Sequence, residues 1–327
     1  MSFPQHRLRR LRRTPTLRRL VAETRLSPDD LIAPLFVREG IDEPQPIASI
    51  PGVVQHTLGS LGEEVDALVG LGVPAVILFG VPAAKDERGS GAWDPDGIVQ
   101  VALRELRDRV GDRVVLMADL CLDEYTSHGH CGLLTDDGEV DNDATLELYG
   151  EVALAQADAG ADIVAPSGMM DGEVMAIREA LDDDGFEQVA IMAYAAKYAS
   201  ALYGPFRDAV DVTIEGGGDR KGYQQDPANV RESMEEIRLD LGEGADIVMV
   251  KPALSYLDVI ARARAEVDVP LAAYHVSGEY AMVKAAAERG WIDGLAVGME
   301  HLVSIRRAGA DMILTYLARE AAEVLNG

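Results

Sequence analysis

Val189-Ala-Ile-Met-Ala-Tyr-Ala-Ala-Lys197 is apolar almost throughout and ends in a lysine; Asp246-Ile-Val-Met-Val-Lys251-Pro252 has the same form. Neither run alternates between apolar and polar residues. A strand with that composition is buried on both faces, which is the condition of a parallel strand covered by helices. Within these two runs the strands are expected over 189–194 and 247–250; working outward, similar runs occupy 31–37, 75–79, 114–119, 163–166, 271–275 and 312–316. Amphipathic stretches separate them, among them 98–110, 145–159, 172–181, 227–241, 256–267 and 278–289. Strands alternating with helices give a parallel α/β architecture. Eight strands over residues 29–327 fit a (β/α)8 barrel of the TIM type. A doubly wound sheet would carry G-x-G-x-x-G after its first strand, and the sequence has none there. The phrases Gly160-Ala-Asp-Ile-Val164 and Gly244-Ala-Asp-Ile-Val248 repeat because the strand–helix unit repeats.

In such a barrel the chemistry sits at the carboxyl ends of the strands. Asp119-Leu-Cys121, Pro166-Ser167, Lys197, Lys251-Pro252, Ser277-Gly278 and Tyr316 all fall there. The chain holds only 5 lysines among its 327 residues, and two of them end these strands. A desolvated lysine can lose its proton and become a nucleophile, which arginine cannot do. Two such amines suggest imine chemistry on carbonyl substrates. The other reading is that each lysine reaches solvent or pairs with a carboxylate.

The net charge is −26, and hydrophobic residues make up 48%. Phosphate backbones would be repelled, so nucleic acid is excluded as a partner. Acidic residues are spread along the chain and lysine is scarce, a pattern suited to a high-salt cytoplasm where charge is screened. Folding that requires molar salt is the expectation. Two cysteines do not make a disulfide scaffold. No apolar window reaches the length of a membrane span, so no membrane association is expected and a cytoplasmic location is. Residues 1–28 are basic and carry Pro4, Pro15 and Pro28. A basic arm on an acidic body is suited to wrapping a neighbouring subunit.

Asp119-Leu-Cys121-Leu-Asp123-Glu-Tyr-Thr-Ser-His128-Gly-His130-Cys131-Gly132 holds both cysteines and two of the 6 histidines. Thiolate, carboxylate and imidazole are zinc ligands. Cys121 and Asp123 point the same way along an extended chain, and two thiolates favour zinc over magnesium. The alternative is two unliganded thiols in a polar loop. A second segment runs from Tyr203-Gly-Pro-Phe-Arg207 through Gly216-Gly-Gly-Asp-Arg220 to Gln224. Glycine-rich loops of this kind act as lids, and arginine grips carboxylates.

Together with Val248-Met-Val-Lys-Pro252 and Tyr274-His-Val-Ser-Gly-Glu-Tyr-Ala-Met282, these segments resemble the porphobilinogen synthase (5-aminolevulinate dehydratase) family over essentially the whole chain. The resemblance implies a (β/α)8 barrel with an N-terminal arm, usually octameric, that condenses two 5-aminolevulinate molecules into porphobilinogen. It implies an imine on Lys251 with the first, propionate-side substrate and one on Lys197 with the second, acetate-side substrate. Arg207, Arg220 and Gln224 would hold the acetate-side carboxylate, and Ser277 and Tyr316 the propionate-side one. Tyr203 would belong to the lid, and Asp119 and Ser167 would line the site. Zinc is expected on Cys121, Asp123 and Cys131, and an allosteric magnesium at Glu236. Two positions depart from the family pattern. Asp123 stands where zinc-dependent members have a third cysteine, and Gly168 stands where many members have aspartate.

Overall fold

The computed structural model describes residues 2–214 and 219–327. Eight parallel strands close into a barrel: β1 (Leu31–Arg38), β4 (Ala75–Val81), β5 (Val115–Leu120), β6 (Ile163–Pro166), β7 (Ala190–Lys197), β8 (Ile247–Lys251), β9 (Leu271–His275) and β10 (Met312–Thr315). The ring shuts where Leu31 pairs with Ile313 and Ile32 with Leu314. A short hairpin, β2 (Gln45–Pro46) and β3 (Val54–His56), extends the sheet beside β1.

All eight strands expected from the sequence are present. The end of β7 is the main difference: it continues to Lys197 rather than stopping at Tyr194. The foreseen helices are α3 (Ile98–Val110), α4 (Asn142–Asp158), α5 (Glu173–Asp183), α7 (Arg231–Glu243), α8 (Leu257–Glu266) and α9 (Ser277–Glu288). α7 starts later than the 227–241 stretch suggests, because Asn229 Nδ2 donates to Glu232 Oε2 and the turn around Pro227 precedes the helix. The sequence reading did not name α2 (Leu58–Gly70), α6 (Gly204–Ala209), α10 (Gly294–Ala308) or α11 (Ala318–Asn326).

The repeated Gly-Ala-Asp phrase has a structural job that its repetition alone did not reveal. Gly160, Gly244 and Gly309 take positive φ at the helix-to-strand turn, where glycine is free of Cβ strain. The aspartate two residues on turns back to the preceding strand. Asp162 accepts from the Leu116 amide (2.8 Å), Asp246 from Ile191 (2.8 Å) and Asp311 from Leu271 (2.9 Å). Each satisfies a strand-end N–H at the amino end of the barrel, opposite the site.

None of residues 2–27 is buried, and Phe3, Leu8, Leu11 and Leu20 are exposed on this segment. It carries a 3-10 helix over Leu8–Arg12 and the α-helix α1 (Pro15–Leu20). Among the described residues, no helix is long and apolar enough to cross a membrane.

Candidate active site

Lys197 and Lys251 stand side by side, paired in register across β7 and β8. A β-bulge puts them there. Ala193 pairs with Val248 and Ala196 with Val250, so β7 spends three residues where β8 spends two. Side chains alternate along a strand, and a slip of one residue moves every later side chain to the other face. Without the extra residue the two lysines would point to opposite faces of the sheet. Both are buried, at 4% and 5% exposure.

The two amines sit in different fields. Four aromatic rings surround the Lys251 Nζ: Tyr274 at 4.6 Å, Tyr194 at 4.9 Å, and Tyr203 and Phe206 at 5.2 Å. Burial and the neighbouring Lys197 charge push its pKa down to about 7. Its amine is therefore substantially free near neutral pH. Burial also acts to lower Lys197, but the charges of Cys131, Cys121, Asp123 and Asp119 outweigh it and raise the pKa. Lys197 Nζ donates to the carbonyl of Ser167. Burial thus lowers Lys251, while Lys197 keeps a raised pKa.

One narrow cavity brings together Asp119, Asp123, Ser167, Lys197, Tyr203, Arg207, Arg220 and Lys251. Its free space is about 10 Å³, room for roughly one water. Tyr203, Phe206 and Arg207, from α6 and the turn before it, line one part of it. Tyr203 Oη donates to the Lys251 carbonyl at 3.2 Å. The 216–218 glycines named as part of the lid lie outside the described residues. Ser167 Oγ donates to Asp119 Oδ2 at 3.0 Å. Burial raises Asp119 to about 6 against the pull of both lysines, so an acid and a base of similar strength share the cavity.

Cys121, Asp123 and Cys131 are buried, with ligand atoms within 4.8 Å of one another. Burial raises the Cys121 thiol, while a hydrogen bond from Cys121 lowers Cys131. Two cysteine sulfurs and a carboxylate converging at that spacing fit a metal ion. Arg220 lies closer to this loop than a role in substrate binding alone would suggest. Its Nη2 meets Asp123 Oδ2 and the Gly129 carbonyl, each at 2.8 Å. Opposing the effect of burial, that guanidinium holds the Asp123 carboxyl below its ordinary range.

Three residues expected to bind substrate do not line this cavity. Gln224 lines a neighbouring cavity of about 710 Å³, which also holds Glu236 and Asp171. Burial and nearby Asp171 raise the Glu236 carboxyl. Ser277 is buried at the start of α9. Tyr316 bonds to Tyr274 Oη at 3.0 Å, and Tyr274 in turn lies over Lys251. Buried polar atoms with no partner among the described residues gather at the site. They include Asp119 Oδ1, Glu124 Oε1, Tyr194 Oη, Arg207 Nε, Arg220 Nε, Gln224 Nε2 and Ser277 Oγ. Such orphans are costly unless something else satisfies them, so they mark where a polar ligand belongs. Sequence reasoning missed Glu124, Phe79 and Phe206 in the lining and Tyr194 and Tyr274 around Lys251. The two tyrosines were within reach, since both lie in the strand runs quoted for other reasons.

A closed parallel barrel with paired buried amines and a thiol–carboxylate cluster at its carboxyl end defines a barrel enzyme of the lysine-nucleophile class. Residues 5–324 match the family model described as delta-aminolevulinic acid dehydratase, and the chain belongs to that family. It is 60% identical over 326 residues to the delta-aminolevulinic acid dehydratase of Streptomyces coelicolor, covering 99% of this chain and 98% of that one. The Mycobacterium leprae protein of the same name is 58% identical, covering 98% of each. The crystal structure of the Toxoplasma gondii enzyme in complex with its product porphobilinogen superposes with a TM-score of 0.95 at 46% identity, covering 98% of this chain and 91% of that one.

Proposed function

We propose that the chain condenses two 5-aminolevulinate molecules into porphobilinogen with loss of water. The observation that carries this reading is the pairing of Lys197 with Lys251 on one face of the barrel. Lys251, the freer amine, attacks the ketone of the first substrate, and Lys197 that of the second. Asp119 exchanges protons with them. Arg207, Arg220 and Gln224 hold the acetate-side carboxylate, and their unpartnered N–H groups support that role. The orphaned Ser277 hydroxyl and Tyr316 hold the propionate-side carboxylate. Tyr203 and Phe206 move aside to admit substrate, since the cavity has room for little more than a water.

Cys121, Asp123 and Cys131 would hold zinc, which would supply Lewis acidity beside the second substrate. Glu236 holds a regulatory magnesium, with Asp171 lining the same cavity. Residues 1–28 form an arm that packs on a second subunit, and the assembly is an octamer. Exposed Phe3, Leu8 and Leu11 on that arm support a covered state. The charge of −26 supports a halophilic, cytoplasmic enzyme.

The test is porphobilinogen formation by metal-stripped protein in molar potassium chloride, with zinc or magnesium restored in parallel. Activity is expected to return with zinc. Return with magnesium alone would overturn the metal assignment, and no product from folded protein under any condition would overturn the function.

A further inference from the structure

The Gly168 departure leads to a residue that none of the roles above uses. Tyr149 lies in the middle of α4, fully buried. Its Oη donates to the Cys131 carbonyl at 2.7 Å and stands 4.0 Å from Cys121 Sγ. It therefore touches both thiol residues of the metal loop. Thr145, four residues earlier and so on the same helix face, accepts from the Leu133 amide at 3.0 Å. This face of α4 grips the loop on both sides of Gly132.

Gly168 makes room for that contact. A Cβ there would overlap the Tyr149 hydroxyl and two of its ring carbons. The ring is wedged in a helix and cannot swing aside as a flexible chain end could. Any side chain at 168 and a tyrosine at 149 thus exclude each other. Gly168 also follows Ser167, whose carbonyl takes Lys197 Nζ and whose hydroxyl meets Asp119. The hydroxyl of Tyr149 accordingly sits where the thiol loop and the segment anchoring Lys197 come together.

We propose that Tyr149 is a positioning residue for the metal loop, seated in a notch that glycine at 168 leaves open, and that this matched pair sets the placement of Cys121 and Cys131. Its hydroxyl meets the need of the buried Cys131 carbonyl, which otherwise has to be met by movement of the loop. Groups that orient metal ligands typically alter affinity by about 10–100-fold when removed. The inference rests on the reading that zinc binds this loop.

The experiment uses the full chain in high salt, with no substrate present. Zinc affinity is measured by competition with a chelator, and the alkylation rates of Cys121 and Cys131 are mapped in the metal-free protein. Tyr149→Phe keeps the ring and removes the hydroxyl. It is expected to weaken zinc binding about 10-fold and to speed alkylation, with Cys131 affected most. Gly168→Asp alone is expected to do the same or worse, and the pair Tyr149→Leu with Gly168→Asp to recover much of the loss. That recovery separates matched positioning from general destabilisation. Zinc affinity and alkylation in Tyr149→Phe within about two-fold of the parent, or a pair that is merely additive, would overturn the proposal. Should the parent chain bind no zinc, the metal reading falls and the alkylation comparison decides on Tyr149.

Discussion

Lys251→Ala is expected to lose porphobilinogen formation by more than about 1000-fold, the scale seen when a covalent nucleophile is removed. Nothing near it can take its place. Lys197 is the adjacent amine, but its pKa is raised by the surrounding thiols and carboxylates despite its burial. The pKa of Lys251 lies at about 7 because it is buried beside that second cation. Imine formation needs the free amine, so kcat/KM of the parent enzyme should climb as pH rises through about 7. The sign follows from the direction of the shift: a lowered amine pKa moves the active form down into the neutral range. A product assay across pH checks both. Retention of parental turnover by Lys251→Ala would contradict the assignment.

Arg220→Met is the variant with the largest expected effect on stability, about 3–5 kcal/mol in the metal-free protein. The Arg220–Asp123 pair is 7% and 4% exposed, with a 2.8 Å contact. Removing the guanidinium leaves a buried carboxylate near Asp119 and Glu124 without its strongest partner. Its Coulombic attraction to Lys197 remains, which keeps the loss from being larger. Asp123 is held below its ordinary range, so its contribution is present at neutral pH and fades as pH falls through the acid range. The variant should lose that acid dependence along with the stability. Denaturant midpoints at two pH values in high salt measure this, and a shift below about 1 kcal/mol would mean the pair is solvated after all.

The sequence made the strands legible because parallel barrel strands are buried on both faces and read as plain apolar runs. It also made both lysines legible, since a charge ending such a run needs a reason to be there. The facing of the lysines was not legible. Counting residues from Ala193 and Val248 puts Lys197 and Lys251 on opposite faces, and only the bulge between Ala193 and Ala196 corrects it. A bulge has no fixed composition, so local sequence does not announce it. The cysteines were readable by their spacing, whereas the Arg220–Asp123 contact joins segments 97 residues apart (220 minus 123) and depends on the path of the intervening chain. Gly168 was visible only as a departure. Its reason lay on α4, in a tyrosine that no motif singled out.

The central claim is that these two amines do the chemistry, and borohydride reduction in the presence of 5-aminolevulinate tests it most directly. The trapped protein is digested and each of its 5 lysines is mapped by mass. The account predicts a reduced substrate adduct on Lys251, joined by one on Lys197 as substrate saturates, with Lys85, Lys221 and Lys284 unmodified. An unchanged protein mass, or adducts confined to those other three lysines, would contradict it.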